Sequence, residues 1–159
     1  MQSAPVASSE DPPTRRSFWR SAGGGCLVVA LLPVIGLFLL FKVPMWVNDA
    51  KLDALIDRFE SYPRPPKTYG ADGGAEGSIA LRGNGNHCDY RVRLTLNTEL
   101  SVGDLTDYYD RADIAGVEDG RPIFTVWARQ PSKHVAYSSH TVIVELNDST
   151  DAGLDIRCH

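Results

Sequence analysis

Twenty consecutive positions, residues 22–41, contain no ionisable side chain except the thiol of Cys26. At about 1.5 Å of rise per residue, a helix of that length spans roughly the 30 Å hydrocarbon core of a bilayer. The run predicts a transmembrane anchor, taken with its flanks as residues 21–46. Trp19 and Trp46 bracket it at headgroup depth, where an indole meets both apolar and polar surroundings. Pro33 and the glycines at 23–25 are tolerated in membrane helices. Arg15, Arg16 and Arg20 precede the run while Lys42 and Lys51 follow it, and three basic residues against two set the N-terminus in the cytoplasm.

The rest of the chain divides around that anchor. Residues 1–20 form a tail that predicts disorder, because its first fourteen residues are mostly Ser, Pro, Ala and acids in which nothing offsets the entropy of folding. Val47, Leu52, Leu55, Ile56 and Phe59 recur at helical period and predict a juxtamembrane helix over 47–62, with Asn48 or Asp49 as N-cap, packing alongside the domain or standing free. Residues 63–77 read as a Pro/Gly linker and 78–159 as the folded domain. From Asn48 onward twelve basic residues face eighteen acidic ones. A domain of that sign lacks the clustered Lys and Arg that phosphate neutralisation requires, which excludes nucleic acid as a partner.

The motif TRRSFWR at positions 14–20 has the make-up of a twin-arginine export signal, which is normally cleaved. No Ala-x-Ala follows the apolar run, which is long for a signal, so an uncleaved anchor is the main expectation and an exported soluble domain the alternative.

Within the domain, Asn84-Gly85 is the strongest two-residue hairpin signal, and it sets Leu81 opposite Cys88 and Ile79 opposite Tyr90. Cys88, Tyr90, Val92, Leu94 and Leu96 alternate with Asp89, Arg91, Arg93, Thr95 and Asn97, the period of a strand with one wet face. Ser101, Asp104 and the stripe Val102, Leu105, Tyr109 and Ala112 predict a helix opened by a capping box. Asp104, Asp107, Asp110 and Asp113 recur along it as a solvated face and not as a calcium loop. Strands are expected at 122–129, 137–147 and 154–158, with a turn at 130–133. The fold class is α+β: a transmembrane helix followed by a two-layer domain, a mostly antiparallel sheet of about five strands in the order β-β-α-β-β-β with one packed helix.

Cys88 and Cys158 are the two cysteines of the domain, both at inward positions by alternation, and predict a disulfide. Such a bond belongs outside the cytoplasm. The competing reading is a zinc site from His87, Cys88, Cys158 and His159, against which neighbouring residues on a strand point to opposite faces. His134 and His140 lack ligand spacing, so no metal or cofactor is expected. No nucleophile elbow, zinc-protease motif or phosphate loop is present, and a dispersed triad around Ser138, Ser139 and His140 is the residual route to an enzyme. Arg91 and Arg93 with Tyr108 and Tyr137 are a candidate contact patch, set against an ordinary solvated sheet face.

The run Gly83-Asn84-Gly85-Asn86-His87-Cys88-Asp89-Tyr90, after an N-terminal anchor and answered by a second cysteine, resembles small uncharacterised single-pass membrane proteins of Gram-positive bacteria. The resemblance implies a surface-exposed domain and transfers no functional residue. The expectation is a single-pass membrane protein presenting an extracytoplasmic, non-enzymatic interaction or accessory domain to a membrane or cell-envelope protein partner. The alternatives are the exported domain binding a small ligand or metal, and a cell-envelope hydrolase.

Overall fold

The computed structural model describes residues 18–70, 73–118, 120–129 and 139–159. Residues 1–17 of the expected tail, the turn at 130–133, and His134, Tyr137 and Ser138 lie outside the described residues, while residues 18–20, expected in the tail, belong to a helix. The chain divides into two compact units between Leu39 and Leu40. Helix α1, Phe18–Ser61, is the one helix among the described residues long and apolar enough to cross a membrane. In the first unit Val29, Leu32, Val34, Ile35, Leu37 and Phe38 are all more than half exposed. A bilayer removes the cost that such an apolar surface would carry in water.

The second unit is an antiparallel five-stranded sheet with helices on one face. Its strands are β1 (Thr68–Gly70), β2 (Glu76–Ala80), β3 (His87–Thr98), β4 (Ile123–Ala128) and β5 (His140–Asp151), and its second helix is α2 (Val102–Asp110). The order across the sheet is β1-β3-β5-β4, with β2 pairing the other half of the β3 edge that β1 occupies. β3 and β5 pair along their whole length, from His87 opposite Asp151 to Thr98 opposite His140. The alternation expected of β3 is present, with Cys88, Tyr90, Val92, Leu94 and Leu96 buried.

The expected hairpin register holds, since Ile79 lies opposite Tyr90. The two-residue turn does not form. The ladder stops at Ala80 opposite Asp89, and the positive φ angles fall on Gly83 and Gly85 while Asn84 is not left-handed, so the connection is a longer bend. The Arg82 N–H donates to Asp89 Oδ2 at 2.6 Å, and the Leu81 N–H to the Arg157 carbonyl at 3.0 Å. These bonds take the partners that a tight turn would have used.

Three further expectations are corrected. The helix over 47–62 does not begin at an Asn48 or Asp49 cap; α1 runs through both, and its last turns belong to the core through Leu55 and Phe59, exposed by 0% and 2%. The linker 63–77 contains β1 and the start of β2; β1 is held by pairings such as Thr68 with Thr98, whose hydroxyls lie 2.8 Å apart. The strand at 154–158 is a single 3-10 turn, η1 (Ile156–Cys158), capped by Asp155. Its apolar alternation misleads, because Leu154 and Ile156 are about half exposed whereas Asp155 is fully buried.

The end of α1 and all of α2 cover the inner face. Phe59, Tyr109 and Phe124 join helix, helix and strand, with ring centroids 5.7 to 6.0 Å apart. Burial pushes the Tyr109 hydroxyl up to about 12. Gly77 on β2 lets α1 approach, since a Cβ there would lie 2.7 Å from Ile56. Arg58 ties α1 to the segment after α2, donating to the carbonyls of Ala115 and Gly116. The capping box of α2 is complete, with Asp104 N–H donating to Ser101 Oγ at 3.1 Å and Ser101 N–H to Asp104 Oδ2 at 3.3 Å. Ser101→Ala is expected to cost about 1 kcal/mol in denaturant unfolding of the full chain; an unchanged midpoint would show the cap to be idle.

Candidate functional site

Two polar constellations lie on opposite faces of the sheet. The inner one surrounds Cys88 and Cys158, which form a disulfide with Cα atoms 4.8 Å apart. Asn48 on α1 donates to Asp155 Oδ2 at 2.9 Å and to Cys88 Sγ at 3.4 Å, and accepts from the Tyr90 hydroxyl at 2.9 Å. Arg157 closes the clasp, donating to Asp155 Oδ2 at 2.7 Å, Asp49 Oδ1 at 2.6 Å and the Met45 carbonyl at 3.1 Å. The Arg157 hydrogen bonds hold the Asp155 carboxyl down to about 2, against the opposing effect of burial. The same bonds raise Arg157 further. Burial raises the Tyr90 hydroxyl.

Two sulfurs and a carboxylate, from Cys88, Cys158 and Asp155, lie within 4.8 Å of one another, a spacing that suits a metal. The sulfurs are committed to each other and the carboxylate to Arg157 and Asn48. The two histidines of the zinc reading do not converge on the cysteines. His87 Nε2 lies 3.2 Å from Asp89 Oδ1, and His159 Nε2 is 3.2 Å from the Gly153 carbonyl. This inner constellation reads as a structural staple.

The outer face of the sheet is the better candidate for recognition. Alternation along β3 sends Asp89, Arg91 and Arg93 to it, and the register sets Ser149, Asn147 and Glu145 opposite them on β5. β4 contributes Ile123 and Trp127, exposed by 70% and 52%. Arg93 Nε donates to Glu145 Oε2 at 2.6 Å and Asn147 Nδ2 to Glu145 Oε1 at 3.0 Å. Burial alone would raise Glu145, but these two hydrogen bonds and the nearby guanidinium charges outweigh it and lower its pKa. Arg91 Nε is left 3.6 Å from Glu145, shielded from water and without a hydrogen-bond partner.

Beside it an open cavity of about 280 Å³ is lined by Arg82, Asp89, Arg91, Asn147, Asp148 and Ser149, with Ile123 as its apolar wall. Arg82 reaches back to the Asp89 carbonyl at 2.9 Å and the Ser78 hydroxyl at 2.7 Å. Burial, then the charge of Arg91, lowers its pKa.

Arg91 and Arg93 thus share a face, as the contact-patch expectation had them. Tyr108 does not join them: it packs edge-on against Tyr62 and donates to the Pro63 carbonyl at 2.8 Å. His140 lies half-buried opposite Thr98 on β3. Asp107, Asp110 and Asp113 are exposed. The sequence reading missed Arg82, Glu145, Asn48, Asp155 and Arg157. Glu145 was legible in part, as an acid at an outward position of a strand. Asn48, Asp155 and Arg157 form one clasp only once residues 40 to 112 positions apart are brought together, whereas Arg82 pairs locally with Ser78 and Asp89. Comparison of the chain with protein families, with curated proteins and with solved structures finds no match in any of the three.

Proposed function

We propose that the chain is a single-pass membrane protein whose unit from Leu40 onward is an extracytoplasmic, non-enzymatic interaction or accessory domain. The observation that carries this reading is the asymmetry of the sheet. Helices cover its inner face, while its outer face leaves Ile123 and Trp127 exposed beside Arg91 and Arg93. Aromatic and arginine side chains at an uncovered surface are the composition that protein interfaces favour. The disulfide supports an oxidising compartment, and the excess of arginine before the apolar run supports a cytoplasmic N-terminus. The clasp argues for retention of the anchor. Cleavage near residue 50 would remove Asn48, Asp49 and the Met45 carbonyl from Asp155 and Arg157.

Two measurements on cells expressing the full chain test this. A cysteine placed at exposed Asp107 is expected to react with a membrane-impermeant maleimide in intact cells; protection until lysis would overturn the placement. A photo-crosslinker at Trp127 is expected to give a discrete protein adduct that the same crosslinker at Asp107 does not. Identical adducts from both positions would refute a role for the outer face.

A further inference from the structure

The competition for Glu145 leaves one guanidinium on the outer face undersupplied. Both oxygens of that carboxylate are engaged by the closer donors Arg93 and Asn147, and the Arg91 Nε–H, 3.6 Å from Glu145 Oε1, has no hydrogen-bond partner among the described residues. A buried guanidinium N–H without a partner is costly. The neighbouring acids do not relieve it. Asp89 accepts from the Arg82 N–H, and Asp148 accepts from the N–H groups of Val117 and Ser149, so both brace loops. Arg82 gives two of its five N–H donors to Ser78 and the Asp89 carbonyl and keeps its charge beside the cavity. What remains lining the cavity is the positive charge of Arg91 with that of Arg82 beside it, Asn147 Oδ1, the Ser149 hydroxyl, and the side chain of Ile123.

From this we infer that the cavity at Arg91 binds a carboxylate attached to an apolar body, and that the occupant is the free C-terminus of a peptide chain. The planar fork of Arg91 matches a carboxylate in shape and charge. Ile123 offers contact to the terminal side chain, and Asn147 and Ser149 offer hydrogen bonds to the last amide. Asp89 and Asp148, which also line the cavity, repel a second negative charge, which selects a monoanionic carboxylate over a phosphate. The inference rests on the outer face being the recognition face and names the chemistry it recognises.

The test uses the full chain in lipid nanodiscs and follows the Arg91 Nε–H resonance, assigned by its absence in Arg91→Gln. The probes are N-acetyl-glycyl-alanyl-leucine with a free carboxylate, the same peptide as its C-terminal amide, and inorganic phosphate. The free acid is expected to shift the resonance saturably, with the amide and phosphate binding about tenfold or more weakly. Arg91→Gln, followed through backbone amides of β5, is expected to weaken free-acid binding by a similar factor, and Arg91→Lys by less. Equal response to acid and amide, a preference for phosphate, or undiminished binding by Arg91→Gln overturns the inference. Should Arg91→Gln fail to fold, Ile123→Asp carries the test, since a charge on the apolar wall must weaken the acid and an unaffected affinity refutes the site. A Trp127 adduct that survives while the peptide acid fails to bind would reject this ligand and leave the interaction face standing.

Discussion

Replacing Cys88 and Cys158 together by Ala is expected to lower the unfolding free energy of the second unit by about 4 kcal/mol, the value that the loop-entropy account assigns to a bridge of this span. The bond closes a separation of 70 residues, from the start of β3 to η1, so it restricts most of the unfolded unit. Its loss also removes the sulfur that Asn48 contacts at 3.4 Å. The check is denaturant unfolding of the full chain in detergent, comparing the double variant with the oxidised parent. A difference below about 1 kcal/mol would mean that the clasp and the sheet hold η1 without the bridge.

Asp155→Ala is expected to be nearly as damaging, at about 3 kcal/mol, because it strips Arg157 and Asn48 of a fully buried acceptor. Asp49 continues to hold Arg157 from the solvent side and limits the loss. The effect carries a pH signature. The folded-state pKa of Asp155 is about 2 against an ordinary 3.8, so its stabilisation is complete above about pH 4 and disappears as the pH falls through about 2. The stability gap between parent and variant therefore narrows across that window, and a gap constant from pH 6 to pH 2 would contradict the ion-paired reading of Asp155. Asp155→Asn separates charge from shape: it keeps a group able to accept from Asn48, so a loss as large as that of Asp155→Ala would assign the effect to the charge facing Arg157.

Much of the architecture was legible without coordinates, because it rests on local and periodic signals. The period of two along β3 set which residues face the core, and the Asn84-Gly85 position set a register that survives even though the turn itself is longer. Ser101 and Asp104 marked the start of α2 because a capping box is built within four residues. The errors share one cause. β1 is three residues long and exists through its pairing with the far end of β3. At 154–158 no strand forms: in the 3-10 turn Leu154 and Ile156 stay about half exposed while Asp155 and Cys158 are buried, and the Asp155 charge is answered from α1 and η1.

The candidate site shows the same division. Arg91 and Arg93 were recognisable as outward residues, yet nothing in their spacing tells that Arg93 captures the carboxylate and Arg91 does not. That outcome depends on the β3–β5 register, which sets Arg93 opposite Glu145 and Arg91 opposite Asn147. The twenty uncharged positions, the alternation of β3 and the two cysteines of the domain were enough to determine an apolar helix joined to an α+β unit, because each expresses a preference that a short stretch of chain satisfies alone. Only the tertiary structure decided that the end of α1 belongs to the core, that Asp155 is buried and Leu154 is not, and that one arginine on the open face has a buried Nε–H without a hydrogen bond. Those are outcomes of competition between groups far apart in the chain, and burial and ion pairing are settled by what arrives from elsewhere.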